Sequence, residues 1–206
     1  MTATANCTQA LQGIIMKSML AVLFLTTIAT SAQADWKLNL QDSNFNFASI
    51  KKNSVYEAHT FKSIKGTINN SGEAVVELDL NSVSTGIEIR DQRMKELLFN
   101  TLSFPAAQYR LNIDPLSINT LKAGQRLQIN VQGILSLFGT DKVLSASLNV
   151  FKLTDKRIQV STAKPIVIKA ADFGLEKGVE ALREIANLAV ISHSVPVNFS
   201  LIFEQL

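Results

Sequence analysis

The sequence is nearly devoid of the residues on which thiol and metal chemistry depend. It has one cysteine, Cys7, and two histidines, His59 and His193, which lie far apart in the chain. A lone thiol cannot form an internal disulfide, and the Cys/His spacings that bind zinc are absent. We therefore predict no disulfide and no metal site, so stability must come from core burial alone.

The sequence also has little net charge. Its 20 Lys and Arg residues nearly balance 17 Asp and Glu residues, which leaves a formal charge of +3. Proteins that bind nucleic acids present a clustered basic face to the phosphates. The near-balance gives no electrostatic case for such a face, and we predict no nucleic-acid partner.

Catalytic motifs are missing as well. The chain has neither a Gly-x-Ser-x-Gly nucleophile elbow nor a glycine-rich phosphate loop. A Ser-His-Asp set can be assembled on paper from Ser82, His59 and Asp91, but no motif connects these residues. We therefore predict a protein that is not an enzyme, with no catalytic residues and no cofactor.

One continuous apolar run stands near the N-terminus. Met19–Ile28 follows a single basic residue, Lys17, and precedes the small-x-small sequence Ala32–Ala34. A membrane-spanning helix needs about 20 apolar residues, and this run is too short. The pattern is typical of a Sec-type signal peptide that is cleaved after Ala34.

This leader divides the chain into two parts. Residues 1–34 are the predicted N-terminal extension and signal peptide, with an alternative start at Met16. Residues 35–206 have the length of one domain. A cleaved Sec-type signal predicts export, and we expect a periplasmic protein of a Gram-negative bacterium.

Alternation of apolar and polar residues dominates the predicted domain. Half-buried strands of this kind are typical of an antiparallel sheet with one wet face. About eight such strands must stack as a sandwich or close into a barrel, and composition leaves both open. The apolar sets are Trp36, Leu38 and Leu40; Phe45 and Phe47; Val76, Leu78 and Leu80; Tyr109, Leu111 and Ile113; Leu127, Ile129 and Val131; Leu144, Ala146, Leu148 and Val150; Ile158 and Val160; Val197, Phe199, Leu201 and Phe203.

Two short helices interrupt these strands. Met94, Leu97 and Leu98 recur at helical spacing and predict a helix over Arg90–Asn100. A second apolar stripe, opposed by charged residues, predicts a helix over Leu175–Leu188.

The order of motifs along the chain resembles the YceI family of secreted lipid-binding proteins. A Ser-x-x-Thr strand end is followed by Arg-Asp, a short helix, an aromatic residue, a Phe-Pro pair and another strand. A glycine-containing hairpin and an Asp-Phe-Gly segment come later, and a histidine precedes a glycine-centred strand upstream. The matching positions are Ser82–Thr85, Arg90-Asp91, Phe99, Phe104-Pro105, Gln132–Gly139, Ala171–Gly174, His59 and Phe61–Ile68 around Gly66.

The chain departs from the family pattern at three places. Arg93-Met94 replaces the His-Leu that commonly follows the Arg-Asp pair. The hairpin Ser136–Val143 lacks the usual proline, and Gly174–His193 is longer and more helical than is typical. These changes bear on the ligand and leave the expected fold in place.

The resemblance implies an all-β, lipocalin-like up-and-down barrel of about eight antiparallel strands with one or two short helices. It also implies a periplasmic carrier that holds a polyisoprenoid or isoprenoid quinone, with the lipid as its partner. Inward-facing apolar residues would hold the tail, and the segment Arg90–Phe99 would lie beside the opening. The candidate ligand-binding residues are Phe45, Phe47, His59, Phe61, Leu78, Arg90, Asp91, Met94, Leu98, Leu111, Ile129, Leu148, Phe199 and Leu201.

The Arg90-Asp91 pair has two open interpretations. In the structural one, Asp91 caps the helix and Arg90 pairs with a carboxylate. In the functional one, the Arg90 guanidinium meets the polar head of a ligand at the barrel mouth, and Arg93 is an alternative contact.

A second function also stays open. A barrel with a filled core would instead act as a stress-related interaction or scaffold protein, and the helix Leu175–Ala189 would be its docking element. An enzyme acting on a lipid is a third hypothesis. A transient membrane contact and a homodimer are further partners that the sequence leaves open.

Overall fold

The computed structural model describes residues 34–206. The strands are β1 (Ala34–Lys51), β2 (Val55–Phe61), β3 (Ile64–Asn69), β4 (Glu73–Asp79), β5 (Val83–Ser84), β6 (Ala106–Asn112), β7 (Arg126–Leu137), β8 (Thr140–Thr154), β9 (Arg157–Thr162), β10 (Ile166–Lys169) and β11 (Ser194–Gln205). The α-helices are α1 (Glu88–Arg93), α2 (Pro115–Asn119) and α3 (Glu176–Ile185). A π-helical segment spans Met94–Phe99, and 3-10 turns span Leu80–Ser82 and Ala170–Phe173.

Eight strands close into an antiparallel barrel. They pair in the order β1-β3-β4-β6-β7-β8-β9-β11, and β11 pairs back with β1. Closure removes the free strand edges that an open sheet would expose. The predicted lipocalin-like barrel is confirmed, and the sandwich is excluded.

Two sides of the barrel are lengthened by short strands. The C-terminal half of β1 pairs with β2, which runs directly into β3. The N-terminal half of β11 pairs in the same way with β10, which follows β9. These short strands extend the wall beside the C-terminal half of β1 and the N-terminal half of β11.

The turn between β3 and β4 requires glycine. Gly72 has a φ of +84°, a region in which an L side chain is strained, and a Cβ there would lie 1.9 Å from the backbone oxygen of Ile113. The side chain of Asn69 accepts hydrogen bonds from the amides of Ser71 and Glu73. These contacts fix the hairpin between β3 and β4.

The predicted alternation is wrong at one position in β1. Trp36 and Leu38 are buried, but Leu40 is exposed because the register with β11 shifts between Asn39 and Asn44. The Ser43 hydroxyl donates to the backbone oxygen of Asn39 and accepts from the backbone amide of Ile202. Both backbone groups therefore keep a hydrogen-bond partner where the register shifts.

The two predicted helices form with different boundaries. The first begins at Glu88 as α1 and continues as the π-helical segment. It ends at Asn100, whose φ of 45° is left-handed. The second helix, α3, ends at Ile185, three residues before the predicted end.

A further helix, α2, is not among the predictions. Asp114 accepts a hydrogen bond from the Leu116 amide, and Pro115 stands at the first helical position. Both are helix-start signals that the alternation around them obscured.

The barrel interior is filled at one end and hollow at the other. The packed half surrounds the N-terminal part of β1, where Leu38 pairs with Phe203 of β11 and Phe203 pairs with Ile158. Gly66 belongs to it, because a Cβ there would lie 3.0 Å from the Phe203 ring and 3.1 Å from Leu38. The hollow half surrounds the C-terminal part of β1 and contains the cavity described below.

Within residues 34–206, no helix has the length and apolar character needed to cross a bilayer. The predicted extension and signal peptide, residues 1–34, lie outside the described residues apart from Ala34, and cleavage there stays a prediction.

Candidate ligand-binding site

The hollow half of the barrel encloses a cavity of about 190 Å³. Strands supply most of its wall, and the helical segments supply the rest. The strand residues are Phe45, Phe47, Phe61, Val76, Leu78, Ala107, Tyr109, Leu135, Leu137, Leu144, Ile166, Ile168, Val195, Val197, Phe199 and Leu201. The remaining lining residues are Leu80, Leu98, Phe99, Ala170, Leu175 and Val179.

The cavity wall presents almost no polar chemistry. Among the lining side chains only Tyr109 carries a polar atom, and its hydroxyl donates to the Leu144 carbonyl at 2.9 Å. Burial raises the pKa of Tyr109, which keeps the phenol neutral. Gly133 provides room for this ring, since a Cβ there would lie 2.8 Å from it. Such a wall suits a guest without polar groups along its length.

Four phenylalanines form a continuous cluster along one side of the cavity. Phe61 lies at its centre, with ring centroids 6.0 Å from Phe45, 5.1 Å from Phe47 and 6.0 Å from Phe99. Phe45, Phe47 and Phe61 project from the paired strands β1 and β2, whereas Phe99 comes from the π-helical segment. The cluster thus joins the barrel wall to the helices.

The helical cap, which we define as the π-helical segment and α3, covers the cavity. Leu98 and Phe99 of the first and Val179 of the second line the cavity. The two pack closely at Gly178, where a Cβ would lie 2.7 Å from the Leu97 carbonyl oxygen and 2.8 Å from Leu98 Cα. The absence of a side chain at Gly178 permits this contact.

Seven of the predicted ligand-binding residues come together around the cavity. They are Phe45, Phe47, Phe61, Leu78, Leu98, Phe199 and Leu201.

The other seven do not line the cavity. Leu148 is buried beyond its end, with Leu111 and Ile129 packed alongside, and Met94 is buried within the main core cluster. These four face inward as expected, but neighbouring side chains fill the space in front of them. The last three, His59, Arg90 and Asp91, belong to a polar cluster beside the cavity.

Several lining residues were missed, and some of them had a signal in the sequence. Val76 and Leu80 each lie two residues from Leu78, and Val197 lies two residues from Phe199. Residues two apart on a strand share a face, so this spacing alone identifies them. Val179 lies on the predicted apolar stripe of the second helix. By contrast, nothing in the local pattern distinguishes Ala170 or Leu175 from ordinary core residues.

The polar cluster consists of Lys51, Glu57, His59, Arg90 and Asp91. Glu57 accepts from Lys51 and from Arg90 Nη1, both at 2.7 Å. The hydrogen bond from Lys51, together with the nearby charge of Arg90, lowers the pKa of Glu57. Arg90 Nη2 donates to the backbone oxygen of Thr85 at 2.7 Å, which ties α1 to the strand region.

The structural interpretation of Arg90-Asp91 is half correct. Arg90 does pair with a carboxylate, that of Glu57. Asp91 does not cap the helix: it lies inside α1, and its carboxylate accepts from the Thr85 amide at 2.8 Å. The residue at the N-cap is Ile87, whose side chain makes no capping hydrogen bond.

His59 is the buried member of this cluster. Its Nε2 lies 2.9 Å from Ser49 Oγ, and its ring centroid lies 5.4 Å from that of Phe47. Burial, and then the charge of Arg90, lower the pKa of His59 and favour the neutral imidazole.

Ser82, His59 and Asp91, the hypothetical catalytic set, are not hydrogen-bonded to one another. Ser82 donates to the Asp79 carbonyl, while His59 and Asp91 have the partners described above. Within residues 34–206, no group of three or more His, Cys, Asp or Glu side chains could hold a metal ion.

A closed antiparallel barrel with an apolar internal cavity is the architecture of lipocalin-like proteins. The YceI-like domain model matches residues 36–203, and the chain belongs to that family.

Solved structures of similar proteins agree with this assignment. A polyisoprenoid binding domain from Saccharophagus degradans, implicated in plant cell wall breakdown, is 40% identical, with a TM-score of 0.83 over 84% of this chain and 100% of that chain. Burkholderia cenocepacia BcnA is 18% identical, with a TM-score of 0.61 over 80% and 98%. The Campylobacter jejuni YCEI protein is 18% identical, with a TM-score of 0.53 over 72% and 84%. The last two show the fold alone. A comparison with curated proteins finds no match.

Proposed function

We propose that this protein binds a long-chain lipid, a polyisoprenoid or an isoprenoid quinone, in the barrel cavity and carries it through the periplasm without chemical turnover. The observation that carries the proposal is the cavity wall, in which the single polar side-chain atom is already paired. The relative that is 40% identical is described as a polyisoprenoid binding domain, and it supports the same class of ligand.

The size of the cavity is consistent with part of such a tail. At about 190 Å³ the cavity is many times larger than the space that one water molecule needs, so it has room for part of a prenyl chain. Each methylene transferred from water contributes about 0.8 kcal/mol. A tail that fills the cavity would therefore bind without any directional contact.

The direct test is native mass spectrometry of protein exported to the periplasm, followed by extraction of any bound lipid. We expect an adduct whose mass matches a prenyl lipid, and periplasmic fractionation should recover the protein without its leader. Apo masses from repeated preparations, together with no uptake of added prenyl alcohol, would contradict the proposal.

A fluorescent reporter gives a second test in solution. Phe47 and Phe199 line the cavity, whereas the native tryptophan, Trp36, lies in the packed half. We expect the emission of Phe47→Trp and Phe199→Trp to change on addition of geranylgeraniol. Trp36 in the unmodified protein is the internal control, and its emission should stay constant.

Transient contact with a membrane is part of the same proposal. Large apolar side chains are exposed in and around α1 and the helical cap, at Ile87, Ile89, Leu97 and Leu102. A carrier must pass its ligand between bilayer and cavity, and apolar residues beside the cap would assist that transfer. Leu102→Glu should reduce co-sedimentation with phospholipid vesicles, whereas Leu116→Glu, on α2, should not.

The alternative of a filled barrel that acts through its surface has weaker support. Its predicted docking element is the second helix, but Val179 lines the cavity and Leu182 packs against the main core. The apolar stripe of α3 is therefore directed largely toward the barrel.

A further inference from the structure

The paired strands β1 and β2 change character along the face that lines the cavity. Phe47 and Phe61 belong to the cavity wall. Phe47 pairs with His59, and the next pair on the same face is Ser49 with Glu57. Because side chains alternate along a strand, these residues extend the inward face beyond the cavity. The inward face of these two strands therefore changes from apolar to polar between the cavity wall and the Ser49–Glu57 pair.

His59 has an unsatisfied nitrogen at this boundary. Its side chain is only 5% exposed, and Nε2 is taken up by Ser49. Nδ1 is buried and has no hydrogen-bond partner. A buried polar group without a partner is destabilising, so such a group is a strong candidate for a ligand contact.

Arg90 has a second unsatisfied group in the same cluster. Two of its guanidinium nitrogens are paired, with Glu57 and with the Thr85 carbonyl. Nε is buried and has no partner. Arg90 reaches the same strand face through Glu57, which it contacts at 2.7 Å and which lies two residues from His59 on β2.

The charges of the polar cluster already balance. Lys51 and Arg90 both pair with Glu57, and the second carboxylate, Asp91, lies on α1 next to Arg90. With His59 neutral, the two cations face two anions. A phosphate in this partly buried setting would carry uncompensated charge, which is costly to desolvate. A neutral oxygen adds no such cost.

We propose that His59 Nδ1 and Arg90 Nε bind the polar head of the lipid, and that this head is a neutral hydroxyl or carbonyl oxygen and not a phosphate. The inference rests on the proposed lipid binding and adds the class of head group. Arg90 Nε can only donate, whereas His59 Nδ1 donates or accepts according to its tautomer. A hydroxyl satisfies both groups with either tautomer, and a carbonyl satisfies both when Nδ1 carries the proton.

The test compares three probes that share one saturated, branched C20 chain: phytanol, phytanyl phosphate and the hydrocarbon phytane, which lacks a head. Binding is measured through Phe199→Trp emission. We expect the alcohol to bind about tenfold more tightly than phytane, a difference of about 1.4 kcal/mol. The phosphate should bind more weakly than the alcohol.

Variants then assign the effect to the two groups. His59→Phe keeps an aromatic ring but removes both nitrogens, and Arg90→Met removes the guanidinium without placing another donor at the Nε position. Each should bring the ratio of alcohol affinity to phytane affinity, measured within the same variant, close to one. Arg93→Met is the matched control, one turn further along, and it should keep the full ratio.

A spectroscopic measurement avoids dependence on variant stability. The chain has two histidines, so the ¹⁵N imidazole spectrum of the protein with its native histidines is simple. Geranylgeraniol should shift the Nδ1 resonance of His59, with that of His193 as the reference. An unchanged His59 resonance in the bound state would overturn the inference.

The remaining outcomes separate this inference from the proposed function. Equal affinity for the alcohol and phytane, tighter binding of the phosphate, or loss of preference only in Arg93→Met would overturn the head-group site while lipid binding stands. Failure of all three probes to bind would overturn the proposed function and this inference together.

Discussion

Tyr109 and Gly133 show how one residue determines the shape of the cavity wall. They lie on the adjacent strands β6 and β7, and the missing side chain of Gly133 leaves space for the Tyr109 ring. The ring in turn reaches the Leu144 carbonyl on β8. A wall that lacks free polar groups therefore depends on a glycine inside a strand, where glycine is otherwise unfavourable.

Gly133→Ala should destabilise the protein by about 1–3 kcal/mol, because the new Cβ would overpack the site. It would lie 2.8 Å from the Tyr109 ring and 2.5 Å from the Arg110 carbonyl oxygen. Urea unfolding measures the effect. The neighbouring exposed residue gives the control, and Gln132→Ala should stay within about 0.5 kcal/mol of wild type. Equal stability of the two variants would contradict the packing argument.

Buried His59 should make stability depend on pH. Its pKa in the fold lies below the usual value of 6.5, so the unfolded chain binds a proton more readily than the folded one. Stability then rises with pH through the range just below 6.5 and is lost as pH falls. Denaturation midpoints between pH 7 and 5 should show this slope. His59→Phe should flatten it, whereas Ser49→Ala, which keeps the imidazole, should retain it.

Glu57 adds a second pH dependence at lower pH. Its pKa is lowered from 4.5, mainly by the hydrogen bond from Lys51, so its ionised form stabilises the fold above that value. This contribution disappears as pH falls through the lowered pKa. Glu57→Gln should therefore lessen the loss of stability in acid, and an unchanged acid transition would contradict the assignment.

Among the helical segments of residues 34–206, α3 and the π-helical segment make the most extensive contact with each other. Their contact at Gly178 brings helix and backbone closer than any side chain would allow. Asp91 and Arg90 hold the preceding helix α1 to Thr85. The helical cap is thus held by the close contact at Gly178 and, through α1, by the hydrogen bonds to Thr85.

Gly178→Ala should destabilise the protein, although helix propensity alone predicts that it stabilises. In an exposed helix, replacing Gly by Ala stabilises by about 0.5–1 kcal/mol. Here the Cβ would lie 2.7 Å from the Leu97 carbonyl oxygen, so we expect a net loss of stability. Hydrogen exchange should become faster in α3 and in Met94–Phe99. Lys177→Ala, an exposed neighbour, is the control, and similar exchange in both variants would refute the contact.

For the molecule as a whole, the decisive feature is a barrel that is packed in one half and hollow in the other. The family fold does not by itself require this division, because a small barrel can be filled or can hold a ligand. In this chain Gly66 lets Phe203 and Leu38 fill one end, whereas the cavity at the other end remains open to a guest.

Two alanines on the barrel interior provide a matched test of that division. Both are buried, but Ala107 lines the cavity and Ala146 lies in the core cluster with Leu148. Ala146→Leu should overpack its site and cost about 1–3 kcal/mol. Ala107→Leu should be tolerated and should weaken lipid binding by occupying part of the cavity. If both variants lost stability equally, the barrel would be filled throughout.

The fold could be predicted to a large extent because its signals are local. Alternation along the strands identified the inward faces, and the resemblance to the YceI family favoured a barrel over a sandwich. The exceptions have local causes as well. Leu40 is exposed because the register shifts in β1, and Asp91 lies within a helix that begins earlier than its pattern suggests.

The candidate site could be predicted only in part. Phe47 and Leu148 have the same pattern and both face inward, yet one lines a cavity and the other is packed. Whether space remains in front of a side chain depends on residues from other strands. The sequence by itself therefore determined which residues face inward, since that follows from a period of two along each strand. Only the tertiary structure decided where the interior stays hollow and which buried polar atoms lack a partner, because both depend on groups distant in the chain.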